Sequence, residues 1–283
     1  GKYTYMTLIK KNYTTQRAIE FVGRHFRIRA KQIGYAGTKD KKAVTHQVIS
    51  LPLNIKKNLK FNDLELIYLG HFDQPISLGD LEGNAFIITV RNIQKKPEPV
   101  EIIPNYFDDQ RFSKNNVRIG LFLLNKEFKN ALELILDSRD EYGINDYLKK
   151  RKNDYVGAIK RIPLKILKFY INSVQSYIFN ETLVEYLSTT NKVKKIVRYS
   201  KGNFIFLNDY DGIKLKIPLV GYDSELIDDH IGSVIKRKLA GLKIKKRDFI
   251  IRQIPDLSSP GELRDTLVPV DNLIIEIGRA SCR

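Results

Sequence analysis

The spacing of apolar residues changes once along this chain of 283 residues, and that change limits what it can fold into. In the first hundred residues the apolar runs are short and strand-like, with one helical stretch. After Pro104 they recur every third or fourth residue, as helices that bury one face require. Lys2 to Lys11 reads as a strand with apolar residues on both faces. Thr14 or Thr15 then caps a helix reaching about Phe26, with Ala18, Ile19, Val22 and Phe26 at helical spacing. Further strands are predicted at Ala43 to Leu51, Leu64 to Gly70 and Asn84 to Ile93. In the last of these Asn84, Phe86, Ile88 and Val90 share one face, whose apolar content directs it inward or into a cleft.

Beyond Pro104 the stretches Glu127 to Leu136, Ile166 to Leu187 and Asp228 to Ala240 read as amphipathic helices, the middle one with Tyr170, Val174, Tyr177 and Ile178 on one stripe. Short β-like runs stand at Lys195 to Tyr199, Asn203 to Leu207 and Ile213 to Ile217. A last one, Asn272 to Ile277, is expected to return to the first sheet. A chain of this length holds two domains of ordinary size, and 42% hydrophobic residues with 15 Tyr and 14 Phe supply their cores.

Charge narrows the class of partner. Lys and Arg number 49 against 32 Asp and Glu, a formal net charge of +17, which suits a polyanion. A membrane partner is not expected, because no apolar run approaches the ~20 residues that span a bilayer and no signal-peptide pattern opens the chain. The single cysteine, Cys282, sits in a tail from Gly278 to Arg283 that breaks the preceding pattern and reads as appended sequence. A disulfide or cysteine-based zinc site within the chain is thereby excluded. With four scattered histidines and no His-x-x-x-His pair, the sequence predicts metal-free chemistry in the reducing cytoplasm.

The segment Gly37-Thr38-Lys39-Asp40-Lys41-Lys42 by itself reads as a solvated charged turn. It lacks the Gly-Lys-Ser/Thr ending of a phosphate-binding loop, and a strand follows it rather than a helix. In context it says more. Gly34-x-Ala36-Gly37-x-Lys39-Asp40-Lys41-x-Ala43-Val44-Thr45-x-Gln47 resembles the signature of the TruD family of tRNA pseudouridine synthases. Leu78-Gly79-Asp80-Leu81-x-Gly83-Asn84-x-Phe86 resembles the family's second motif. Pro104-Asn105-Tyr106-Phe107-x-x-Gln110-Arg111-Phe112 is similar to its third, and Gln175-Ser176-Tyr177-Ile178-Phe179-Asn180 to a fourth.

The resemblance implies an α+β fold: a pseudouridine synthase catalytic domain with a mostly antiparallel mixed sheet, and an inserted mixed α/β domain. On this reading residues 1–102 open the catalytic domain, 103–265 form the insert, and 266–283 return. It implies isomerisation of uridine to pseudouridine in RNA, tRNA before other RNA, without cofactor or metal, uridine 13 of tRNA being the bacterial target; a monomer is favoured, the sequence itself leaving the oligomeric state unknown. Asp40 matches the catalytic aspartate, Asn84 the asparagine that positions it, and Phe86 the aromatic that packs on the target uracil. The reaction breaks the N-glycosidic bond, turns the base over and joins its C5 to ribose C1′. A carboxylate suits this work, since it can attack C1′, or assist departure of the base and stabilise the species left behind, and can take up the departing proton.

Lys39 and Arg111 are the basic candidates for keeping Asp40 ionised, although Arg111 serves equally as a clamp between domains. Basic clusters at Lys149 to Lys152, Lys192 to Lys201 and Lys236 to Arg247 are candidate contacts for an RNA backbone. Two features depart from the family pattern. Family members carry an earlier Asp-Phe-x-Val-x-Glu-like strand and a later Gly-Ser-Tyr/Phe-Ala-Thr segment, so this sequence is expected to lack the family's extreme N- and C-terminal segments, whether by truncation or because those parts were left out. Asp108 and Ser113 stand where the third motif has glycines. The rival readings are a non-catalytic RNA-binding protein or RNA chaperone on the same scaffold, and a glycosidase, which would need a second positioned acid.

Overall fold

The computed structural model of the chain describes residues 1–113, 115–137, 142–190 and 192–276. It divides into two compact units, residues 1–93 and 94–283. The tail from Gly278 to Arg283 and the end of the strand expected at Asn272 to Ile277 lie outside the described residues.

The first unit is organised by β1 (Tyr3–Lys11), whose two-residue period buries Thr4, Met6, Leu8 and Lys10 and leaves Tyr3, Tyr5, Thr7 and Ile9 partly exposed. Apolar residues stand on both faces of this strand, but only one face is covered. Helix α1 (Thr15–Phe26) starts where Thr14 accepts a hydrogen bond from the Arg17 amide at 3.3 Å. The two-residue β2 (Gly34–Tyr35) and the longer β3 (Val44–Leu51) follow, then β4 (Leu59–Lys60) and β5 (Leu64–Phe72). The sheet order is β2-β3-β1-β5-β4, and every neighbouring pair is antiparallel. Ala18, Ile19 and Val22 of α1 join Met6, Leu8, Ile49, Leu51, Leu64 and Leu66 in one core. Each large aliphatic side chain buried there contributes roughly 1.5–3 kcal/mol.

The strand predicted at Asn84 to Ile93 does not form. Residues 84–93 make no ladder with any described strand, and Phe86, Ile88 and Val90, the face expected to turn inward, are 72%, 78% and 65% exposed. Alternation states which side chains would share a face once a neighbour is hydrogen-bonded; it does not supply the neighbour.

The second unit contains β6 (Ile102–Pro104), α2 (Asp109–Phe112), α3 (Asn116–Leu124), α4 (Phe128–Leu136), α5 (Ile144–Lys150), α6 (Tyr155–Ile159) and α7 (Leu164–Ser188). After these come β7 (Val193–Tyr199), β8 (Gly202–Leu207), β9 (Lys216–Leu219), α8 (His230–Gly241), β10 (Glu262–Asp265) and β11 (Leu267–Pro269). The pairs β7 with β8, β9 with β10, and β6 with β11 are antiparallel. The chain is thus α+β. No described helix is long and apolar enough to cross a membrane.

The central element, α7, is not amphipathic throughout as predicted: its first turns expose Lys165, Lys168 and Asn172, but four consecutive residues, Ser173 to Ser176, are buried, so its middle is covered all round. Its buried polar groups are occupied by backbone. Gln175 Nε2 donates to the carbonyls of Val220 and Pro260, at 2.9 and 3.1 Å. Asn180 donates to the Phe107 carbonyl at 2.7 Å and accepts from the Phe107 amide at 2.9 Å. The third and fourth motifs therefore meet through a side chain that reads both backbone groups of one residue. The run expected at Ile213 to Ile217 begins only at Lys216, and residues 272–276 form no strand.

The two missing glycines behave differently. Asp108 has φ −84° and ψ 169°, extended backbone open to any residue. Ser113, which follows α2, has φ 43° and ψ −163°, a conformation that only glycine adopts without strain. Replacing Ser113 by Gly is expected to stabilise the chain by about 1 kcal/mol, strain relief outweighing the added freedom of the unfolded chain. The urea unfolding midpoint should rise; a fall would show that Ser113 is not strained.

Candidate active site

The loop between β2 and β3 carries Asp40, and its path is set by close approaches. A side chain at Gly34 would collide with the Ile76 carbonyl and the Ser50 hydroxyl. Gly37 has φ 71°, and a Cβ there would lie 2.9 Å from Leu81. From β3, Gln47 Nε2 donates to the carbonyls of Ala36 and Gly37 at 2.7 and 2.8 Å, which fastens the first half of the loop.

The second half is fastened from below. Lys10 ends the buried row of β1 and is only 1% exposed. Its ammonium donates to the carbonyls of Tyr13 and Asp40, each at 2.7 Å, with the Lys39 carbonyl at 3.4 Å. The hydroxyl of Thr15, at the start of α1, accepts from the Lys39 amide at 2.8 Å. Removing an ammonium from water costs several kcal/mol, and hydrogen bonds to a charged donor return roughly 1.5–3 kcal/mol each, so Lys10 adds little net stability. What it does is fix where Asp40 stands. Burial holds the Lys10 ammonium below its ordinary pKa, and the nearby negative charge of Asp40 acts in the opposite sense.

The expected site residues fall as follows. Asp40 is exposed, and its own backbone carbonyl is the group held by Lys10. Lys39 turns toward Asn84, its ammonium donating to Asn84 Oδ1. Asn84 is therefore tied to the residue before Asp40 and does not rest on a strand. Phe86 is open to solvent, so residues 84–93 build no wall against the loop. A cleft of about 500 Å³ adjoins the loop at Lys41, lined also by Tyr13, Arg17, Phe21 and Arg24, and Asp40 is not in its wall. Arg111 belongs to the second unit, where its guanidinium lies 5.1 Å from the centre of the Phe107 ring. Among the described residues no three His, Cys, Asp or Glu side chains gather to hold a metal ion.

Sequence reasoning missed Lys10 and Thr15 and gave Gln47 no role. The signal for Lys10 was present: it stands two residues beyond Leu8 on the alternation that buries Thr4, Met6 and Leu8. Replacing Lys10 by Met takes the ammonium from the Tyr13 and Asp40 carbonyls, while that of Lys39 keeps the Thr15 hydroxyl, and is expected to destabilise the chain by about 2 kcal/mol. More specifically, amide hydrogen exchange at Lys39 should accelerate toward the unprotected rate. Unchanged protection there would mean that Lys10 does not hold the loop.

Comparison with known proteins bears on the family of the chain. The model of the family described as tRNA pseudouridine synthase D (TruD) matches residues 1–143 and 137–282. A probable tRNA pseudouridine synthase D of Nanoarchaeum equitans is 35% identical over 260 residues, covering 78% of this chain and 68% of that protein. The tRNA pseudouridine synthase D of Aquifex aeolicus is 31% identical over 280 residues, covering 79% of this chain and 71% of its own length. A crystal structure of the protein titled putative tRNA pseudouridine synthase D from Methanosarcina mazei superposes with a TM-score of 0.65 over 95% of this chain and 79% of that one. Its sequence identity is 24%, so it bears on the fold alone. The chain belongs to the TruD family of tRNA pseudouridine synthases, RNA-modifying isomerases.

Proposed function

We propose that this chain converts uridine to pseudouridine in tRNA, at uridine 13, with the Asp40 carboxylate as the reacting group. The observation that carries this reading is a loop whose backbone is pinned at Ala36, Gly37, Lys39 and Asp40 by Gln47, Thr15 and Lys10, while the carboxylate at its end remains exposed. A carboxylate on a fixed backbone, open to a large substrate, is what attack on a ribose carbon within RNA requires.

The chemistry is redox-neutral and needs no co-reactant. The bond from uracil N1 to C1′ breaks, a bond from C5 to C1′ forms, and the proton on C5 leaves as one is taken up at N1. Asp40 serves either by adding to C1′ and being displaced by C5, or by assisting departure and accepting the proton. The target base must leave its stack, and the exposed Phe86 ring is free to hold it. Asn84, bonded to Lys39, acts one residue away from the carboxylate, turning the Lys39 ammonium aside. The net charge of +17 and the cleft with Arg17, Arg24 and Lys41 beside Tyr13 and Phe21 suit an RNA strand next to the loop. Residues 103–265 serve as the family's inserted domain, and the protein acts as a cytoplasmic monomer.

Asp40→Asn keeps the shape of the side chain and removes its charge. With total tRNA as substrate and chemical mapping of pseudouridine, the wild type is expected to modify position 13 and the variant to lose at least a hundredfold in rate. Binding of tRNA should change little. A variant as active as the wild type would end the assignment of Asp40, and a wild type that binds tRNA without product would favour the non-catalytic reading.

A further inference from the structure

The second unit contains a pair of arginines that the proposed chemistry leaves unused. The guanidinium of Arg264 lies 4.1 Å from the centre of the Phe107 ring and 5.4 Å from that of Phe179. That of Arg111 lies 5.1 Å from Phe107 and 5.3 Å from Phe169. Two cations thus share one aromatic ring, and both are partly buried. Neither makes an ion pair among the described residues. Arg264 Nη2 donates to the Asn105 carbonyl at 3.2 Å and to the Asn105 side-chain oxygen, while its buried Nε has no hydrogen-bond partner.

The electrostatics of the pair are unbalanced. Burial lowers the proton affinity of both guanidiniums, and for Arg264 the next largest influence is repulsion from Arg111. Glu262 and Asp265 act on Arg264 in the opposite sense but more weakly, and Asp265 is engaged by Lys216 at 3.4 Å. Both arginines remain charged at neutral pH regardless. Stacking on an aromatic face offsets only part of what partly desolvating two like charges around one ring costs. A bound anion removes the remainder. The planar forks of two guanidiniums match the oxygens of a phosphate, and the backbone around them is held: Ser173 Oγ and Asn116 Nδ2 lie within hydrogen-bonding distance of the Arg111 carbonyl, and Asn180 holds Phe107.

We propose that Arg111 and Arg264 form an anion site that takes a phosphate group of the RNA backbone. The source of the phosphate rests on the RNA substrate proposed above; the site itself rests on the second unit alone.

The test uses the full chain, with Arg111→Gln and Arg264→Gln beside the wild type and Arg111→Lys as the conservative change. Each glutamine variant is expected to bind a tRNA transcript about tenfold more weakly, with the slope of log K against log salt shallower by about one. Arg111→Lys should keep the slope, since it keeps the charge. Inorganic phosphate alone should raise the melting temperature of the wild type and not that of the glutamine variants. Equal slopes in wild type and in variants with wild-type circular dichroism overturn the proposal. A phosphate response without a change of slope marks a site for the free ion and overturns the RNA assignment. Should Arg264→Gln fail to fold, Arg111→Gln decides. Scoring pseudouridine in the same samples separates this inference from the activity: slopes that change without any product defeat the activity alone, and product with unchanged slopes defeats the anion site alone.

Discussion

A buried ammonium under a loop of backbone carbonyls is the contact on which the first unit depends. Lys10 reaches the carbonyls of Tyr13, Lys39 and Asp40, and so joins the first strand, the start of the first helix and the loop at one point. The energies explain why such a group is worth keeping in a small core. Desolvation and hydrogen bonding nearly cancel, so the lysine does little for stability and much for position. An alkyl side chain would pack as well but leave the carbonyls dry. Water in its place would satisfy them without defining where Asp40 stands.

The rest of the loop follows the same logic. Gln47 on one side and Thr15 on the other bind backbone rather than side chains, so the path of residues 36–40 is fixed while the Asp40 carboxylate stays open. The second unit shows the same device at Asn180 and Gln175, side-chain amides of α7 that hold the backbone at Phe107, Val220 and Pro260. Much of what the four sequence motifs specify is thus the placing of backbone. Arg111 and Arg264 differ, being held against rings with their charge unspent.

Much of the fold was legible in sequence. Thr14 as a helix cap, the strands β1, β3 and β5, and the helices α4 and α8 all follow from period and capping, because each buries a face that its own residues define, and α7 is legible as a helix though not in which side it buries. The failures share a cause. Asn84 to Ile93 has the right alternation but no paired neighbour, and the residues around Ser173 are buried by elements far away in sequence. Ser113 shows the limit of a motif read by residue type: the position needs a positive φ, which its side chain gives no hint of. Asp40 was found by resemblance, whereas Lys10 was visible in the alternation of β1 and was passed over because lysine is so seldom buried.

The central claim, that Lys10 serves catalysis by holding the backbone of Asp40, is tested most directly by single-turnover pseudouridine formation in Lys10→Met at saturating tRNA, with the dissociation constant measured alongside. The account predicts a rate about a hundredfold below wild type, the cost of a misplaced reacting group, with tRNA affinity nearly unchanged. A wild-type rate in a folded variant would contradict it.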